Sequence, residues 1–485
     1  MIHQYKLNGK NIVLDIGSGA IHIVDSLSFD IIELYETMPS EKIKKKMLEK
    51  YALDPDVTEQ EISNVVNDIE TLKKEGKLFS DDDYHDAVTV GAGLAPLAKG
   101  GMSRSDRGDF TCPGTCGQVP LQKNTPVIKA LCLHVAHACN LTCDYCFAKA
   151  GKYLGEDAFM SFEVGKQALD FLVKNSGNRR NLEVDFFGGE PLMNWDVVKE
   201  LVAYARSLEE PNNKNFRFTL TTNGILIDDD VTLFANKEMN NVVLSLDGRM
   251  EVHNHFRKTI NGQGSYEIIL PKFQKLVKAR GDKSYYIRGT FTHNNVDFTK
   301  DILHMADLGF KELSMEPVVC SPNDPYALTK EDLPKLFKQY ELLAKEMAKR
   351  DKAGNGFTFY HFMIDLEHGP CIYKRITGCG SGTEYLAVTP TGELYPCHQF
   401  VGDKKYLMGD VWKGVTNTHI RDEFSKCNVY SREKCKKCWA RFYCSGGCAA
   451  NSYHAAGNIN DTYDYGCELF RKRIECAIWL KIELT

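Results

Sequence analysis

Between Ile128 and about Arg350, short apolar runs rich in β-formers alternate with amphipathic stretches. The runs Ile128–Val135, Leu182–Phe187, Phe216–Thr221, Val242–Leu246, Tyr285–Phe291 and Lys311–Glu316 predict six strands. Helical segments such as Phe162–Val173 and Val197–Ala205 separate them. Six β/α repeats imply an α/β fold with a parallel sheet, open or closed as a partial (β/α)6 barrel. In such folds the chemistry sits at the carboxyl ends of the strands.

Residues 1–80 follow a different pattern. Asn8-Gly9 lies between Gln4–Leu7 and Asn11–Leu14 and signals a hairpin; Ile21–Val24 makes a third short strand. Helical segments follow at Phe29–Tyr35, from Ser40 and from Thr58. Thr58 with Glu61 fits a capping box and Gly76 a helix stop. Three strands and three helices resemble a winged helix and read as a separate unit. Residues 81–126 read as a linker with an insertion: seven glycines and three prolines fall between Gly91 and Thr125, with Cys112 and Cys116 among them. The barrel is expected over 127–356 and a loop-rich region, holding ten cysteines, over 357–485.

Composition narrows the classes. The chain of 485 residues is 43% hydrophobic and 26% charged, ordinary for a globular protein of two or three domains. A net charge of -5, with fourteen acidic residues against ten lysines and no arginine in the first 80, opposes nucleic-acid binding. No apolar run approaches the ~18 residues that span a bilayer, and the N-terminus lacks a signal-peptide layout. A cytoplasmic protein is expected. Seventeen cysteines in a reducing compartment then point to metal or redox chemistry.

The first barrel strand runs into His137-Ala-Cys139-Asn-Leu-Thr-Cys143-Asp-Tyr-Cys146-Phe147. Three thiolates on one loop can hold a four-iron cluster and leave one iron for a small molecule, whereas zinc prefers four ligands. The second strand ends at Gly188-Gly189-Glu190-Pro191, where glycines permit close approach and a carboxylate can balance an ammonium. Thr222-Asn223-Gly224 and Ser245-Leu246-Asp247-Gly248 end the third and fourth strands. Arg257 and Arg288 are candidate partners for a carboxylate. Further on stand Cys379, Cys397, Cys435, Cys438, Cys444, Cys448 and Cys467, for which structural zinc is the alternative to clusters. Cys132, Cys320, Cys427 and Cys476 match no motif.

Cys139-x3-Cys143-x2-Cys146-Phe147 after a first strand resembles the radical S-adenosylmethionine (SAM) signature. The resemblance implies a SAM-binding [4Fe–4S] cluster on those three cysteines, with Phe147, Gly188, Gly189, Glu190, Asn223, Ser245 and Asp247 around SAM. The seven later cysteines resemble a SPASM domain, which implies two auxiliary [4Fe–4S] clusters. Cys435, Cys438, Cys444 and Cys467 would hold the outer one and Cys379, Cys397 and Cys448 the inner one, with Cys371 a candidate fourth ligand. Residues 1–80 resemble a RiPP recognition element, which binds a leader peptide by strand addition. With Asn178–Pro191 and Gly378–Pro390, the chain is similar to SCIFF maturases, which install thioether crosslinks in cysteine-rich ribosomal peptides. That resemblance implies a precursor peptide with a leader and an electron donor of flavodoxin or ferredoxin type as partners. A sulfatase-maturase-like dehydrogenase shares the cluster logic without needing a leader-binding unit, and an iron–sulfur sensor on DNA is opposed by the acidic N-terminus.

Overall fold

The structure, a computed structural model, describes residues 1–82, 84–85, 127–148, 151, 153, 155, 157–321, 323–366 and 372–485. Asn8 and Gly9 take φ of 47° and 84° and close a hairpin between β1 (Ile2–Leu7) and β2 (Lys10–Asp15). Two successive positive φ values are what a two-residue hairpin turn demands. β3 (Ile21–Val24) adds antiparallel to β2, which is therefore central. Three helices follow, Ser26–Tyr35, Ser40–Lys50 and Glu59–Lys74. The first opens before the expected Phe29 because Asp25 caps it, accepting from the Ser28 N–H at 2.7 Å. Thr58 accepts from Glu61 N at 3.1 Å, but the Glu61 carboxylate turns to Asn64, so this capping box is half made.

This unit is not separate from the rest. β2 is buried on both faces. Val13 packs with Leu27, Ile31, Ile43, Met47 and Ile62 of the helices. Ile12 and Leu14, with Tyr5 and Leu7 of β1, join the main core of the protein. β1 also lies against the C-terminal helix Asp464–Leu484, where Tyr5 Oη donates to the Glu475 carbonyl at 3.2 Å.

The six expected parallel strands form in order: β4 (Ala130–His137), then, beyond the two-residue β5 (Ala158–Phe159), β6 (Asn181–Gly188), β7 (Asn215–Thr222), β8 (Met239–Ser245), β9 (Tyr285–Phe291) and β10 (Glu312–Pro317). β11 (Thr358–Phe359) extends the sheet beyond β10, also parallel. The helices Phe162–Asn175 and Trp195–Asn212 run somewhat longer than their apolar stripes suggested.

The region after residue 357 departs from a loop-rich appendage. Its β12 (Tyr385–Val388) pairs in parallel with β4, and β13 (Glu393–Tyr395), β14 (Gly409–Asp410) and β15 (Gly414–Val415) continue antiparallel. The cysteine-rich region is thereby built onto the barrel's own sheet. The Lys129–Glu384 ion pair fastens the same join.

Because apolar side chains of β1 and β2 complete the main core, removal of residues 1–80 uncovers their partners and loses their transfer free energy. The truncated protein is expected to melt at a lower temperature and to aggregate. An unchanged melting midpoint, read by circular dichroism, contradicts a shared core.

Candidate active site

The loop leaving β4 is pinned along its length. Thr142 N donates to the Lys258 carbonyl at 2.8 Å, Asp144 N to that of Phe256 at 3.3 Å, and Cys146 N turns back to Cys143 O at 3.1 Å. Arg257 lies in the clamping segment. It meets Asp247, which is fully buried, through Nε and Nη2 at 2.9 and 3.2 Å, and Tyr145 Oη donates to the same carboxylate. Asp247, expected beside SAM, is thus committed to a buried ion pair that sets the cysteine loop. The Tyr145 ring is also held under the Arg257 guanidinium, 5.5 Å from its centroid.

Cys139, Cys143 and Cys146 are brought together. Burial pushes the Cys139 thiol up to about 12 and Cys143 to about 11; the charge of Arg257 opposes the rise at Cys143, and neighbouring cysteines add to it at both. Thiols so placed ionise readily only when a cation takes the thiolates, which is the role of iron. Cys139 Sγ accepts from Leu141 N at 3.5 Å and from Asn223 Nδ2 at 3.6 Å. Such N–H donors to sulfur orient a ligand and tune a cluster. The donor set fits an iron–sulfur cluster.

Gly188 and Gly189 serve a tighter purpose than ligand approach. A Cβ at either would stand 2.2 Å from a carbonyl oxygen of β4's exit, Ala136 O for Gly188 and Ala138 O for Gly189. Their absence of side chains lets Gly189 N and Glu190 N bond to those carbonyls at 2.8 and 2.9 Å, locking the turn beside the cysteine loop. Glu190 is 1% exposed, and its carboxylate accepts from Thr222 Oγ1, Asn223 N and Leu192 N. Burial lifts it to about 7 against those three hydrogen bonds. Its charge is spent inside the protein, tying the ends of β6 and β7. Ser245 ends β8 beside Arg288 of β9. Phe147 is 52% exposed, with Tyr153 at 5.9 Å and His398 at 5.7 Å between ring centroids.

The later cysteines gather in two groups. Cys435, Cys438, Cys444 and Cys467 line one cavity of about 260 Å³. Burial raises Cys444 to about 12 and Cys467 to about 11, neighbouring thiols adding to both. Zinc would need four sulfurs about 2.3 Å from one point. Among the described residues no three His, Cys, Asp or Glu side chains converge on a single-ion position. A cavity walled by four thiols fits an iron–sulfur cluster. In the second group Cys379 raises both Cys397 and Cys448, behind burial as the main cause. Cys397 is buried and the other two are exposed. Next to it, His398 reaches the Phe187 ring at 5.1 Å, so this group adjoins the barrel interior. Cys371, Cys112 and Cys116 lie outside the described residues.

Tyr145, Asn140 and His398 were not singled out from the sequence. Tyr145 lies inside the cysteine motif and His398 beside Cys397, so adjacency was the available signal. Asn140, whose Oδ1 accepts from Asn223 Nδ2 at 2.8 Å, had only its place in the loop.

Residues 133–306 match the family model of the Radical SAM superfamily. The cysteine-type anaerobic sulfatase-maturating enzyme of Clostridium novyi (strain NT) is 25% identical over 354 residues, covering 70% of this chain and 91% of that protein. The solved structure of native anSMEcpe with bound AdoMet and Cp18Cys peptide superposes with a TM-score of 0.59 at 22% identity, covering 74% of this chain and 98% of that one. Streptococcus suis SuiB bound to S-adenosylmethionine gives 0.51 at 16% identity, covering 96% and 98%. Residues 133–306 are thus similar to radical SAM domains, and the chain has the radical SAM α/β fold with its parallel sheet. That class implies a SAM-binding [4Fe–4S] cluster and SAM. Among the described residues no helix is long and apolar enough to cross a membrane.

Two outcomes test this site. Anaerobically reconstituted protein is expected to hold about twelve irons, and Cys139→Ala/Cys143→Ala/Cys146→Ala to lose about four of them with all SAM cleavage. A triple variant that still makes 5′-deoxyadenosine contradicts the assignment. Arg257→Leu leaves Asp247 charged and buried, which costs about 3–5 kcal/mol; denaturant unfolding that shows no loss contradicts the clamp.

Proposed function

We propose that the protein is a radical SAM maturase that forms thioether crosslinks, cysteine sulfur to carbon, in a cysteine-rich ribosomal precursor peptide. The observation that carries the reading is the sheet edge at β3. β1 rests against the C-terminal helix, whereas β3 is the other edge and presents Ile23, 56% exposed. An uncovered edge takes an extended peptide by strand addition. The superposition on SuiB extends over nearly the whole chain and that on anSMEcpe over three quarters.

When bound, the cofactors supply a 5′-deoxyadenosyl radical for hydrogen abstraction and an acceptor for the electron that carbon–sulfur bond formation releases. The chain's residues arrange the rest. Cys139, Cys143 and Cys146 would hold the SAM-binding cluster, Cys435, Cys438, Cys444 and Cys467 an outer one, and Cys379, Cys397 and Cys448 an inner one. Asn223 and Leu141 N orient Cys139. Asp247, through Arg257 and Tyr145, holds the loop. Phe147 and Ser245 would face SAM, and β3 would hold the leader while the core peptide enters the barrel. A flavodoxin or ferredoxin would deliver electrons.

The relative from Clostridium novyi favours a second reading, dehydrogenation of a protein side chain as in sulfatase maturation. Tandem mass spectrometry of the product separates the two. A thioether removes a thiol from alkylation and links two fragments, whereas an aldehyde captures a hydrazide probe and leaves no crosslink.

Ile23→Asp places a charge on the proposed docking edge. Modification of limiting precursor is expected to fall about tenfold or more, because docking sets the local concentration of core peptide. Peptide-independent SAM cleavage stays unchanged. Equal modification rates contradict leader docking at β3.

A further inference from the structure

Five residues, Trp439 to Tyr443, separate Cys438 from Cys444, and the N-terminal unit rests on them. His3 of β1 stacks on Trp439 with centroids 3.7 Å apart and planes within 5°. Tyr84 meets Phe442 edge-on at 5.5 Å. Arg441, 3% exposed, reaches Asp82 through Nη2 at 2.8 Å, while its Nη1 lies 3.7 Å from Met1 Sδ and 3.3 Å from Cys438 O. The second Asp82 oxygen accepts from Tyr430 Oη at 2.8 Å.

The other side of this segment belongs to the cysteine cavity. Ala440 and Arg441 wall it together with Cys435, Cys438, Cys444 and Cys467. Arg441 Nε is buried without a hydrogen-bond partner. The segment is also short and bounded by two of the thiols. Fixing both sulfurs on one group removes most of its conformational freedom; releasing them returns it.

We propose that Arg441 and Trp439 are positioning residues that link occupation of the four-thiol cavity to docking of the N-terminal unit. The proposal rests on reading that cavity as an iron–sulfur site. By linkage, whatever stabilises the filled cavity stabilises the docked unit by the same factor, and the reverse. A peptide held on β3 is then held more firmly in relation to the barrel when the outer site is filled. The His3–Trp439 stack and the Asp82–Arg441 pair transmit the linkage, since they join the two parts through side chains of the one loop.

Hydrogen–deuterium exchange read over β1, together with the rate of iron release to a chelator, tests it. In anaerobically loaded parent protein β1 is expected to be protected. In Cys438→Ala/Cys444→Ala, exchange in β1 rises about tenfold or more, while the barrel strands β6 to β8 keep their protection. Arg441→Gln, which leaves every thiol in place, raises the same exchange and speeds loss of the outer irons; Arg441→Lys restores both in part. Parent protein without iron at this site, shown by metal analysis of the loaded protein against the double variant, overturns the cluster reading. Parent protein that holds the iron, yet gives the same β1 exchange in Arg441→Gln and the same release rate, overturns the linkage alone.

Discussion

β12 lies parallel to β4 over Tyr385–Val388 and Ala130–Leu133, and the arrangement of the site follows from that pairing. Among the described residues β4 has two long neighbours, besides the two-residue β5 at its end. One is β6, whose end carries the glycine turn; the other is β12, which belongs to the cysteine-rich region. Without β12 the first barrel strand would present an unpaired edge, a liability in any sheet. With it, the loop bearing Cys139–Cys146 and the segment bearing Cys397–His398 belong to one rigid framework. His398 can therefore touch rings on both β6 and the cysteine loop.

A second constraint is charge. Ten thiols are drawn into three places, most of them raised by burial, and each place has a cation or N–H donors nearby. Arg257 sits beside Cys143, and Arg432 opposes the rise at Cys435 and Cys448. A cation or N–H donor beside these thiols favours the thiolate form that a cluster requires. The same reasoning explains why Glu190 and Asp247 turn inward. Each ties two strand ends or a loop together, so the polar groups at the barrel mouth act largely by fixing the backbone that carries the cysteines.

Much of this was legible in the chain because its signals are local. Asn8-Gly9, the six apolar runs and the Cys139–Cys146 motif each fall within a few residues; the hairpin and the strands formed where expected, and the motif lies on the loop leaving β4. Long-range pairings were not legible. β13, β14 and β15 are two or three residues long and carry no periodicity, so joining the sheet depends on partners far away in sequence. The run Ile12-Val13-Leu14 did carry a hint: consecutive apolar residues mark a strand buried on both faces, as β2 is. The pairing of Asp247 with Arg257 had no such hint, since each residue alone also suits a ligand.

The central claim is that three separate thiol groups, one on the barrel's first loop and two in the cysteine-rich region after residue 357, each hold an iron–sulfur cluster. Anomalous diffraction at the iron edge, from crystals of anaerobically loaded protein, tests it most directly. The account predicts three iron peaks: one at Cys139, Cys143 and Cys146, one within the cavity of Cys435, Cys438, Cys444 and Cys467, and one at Cys379, Cys397 and Cys448. A zinc-edge signal at either later group, or no iron at the first, would contradict it.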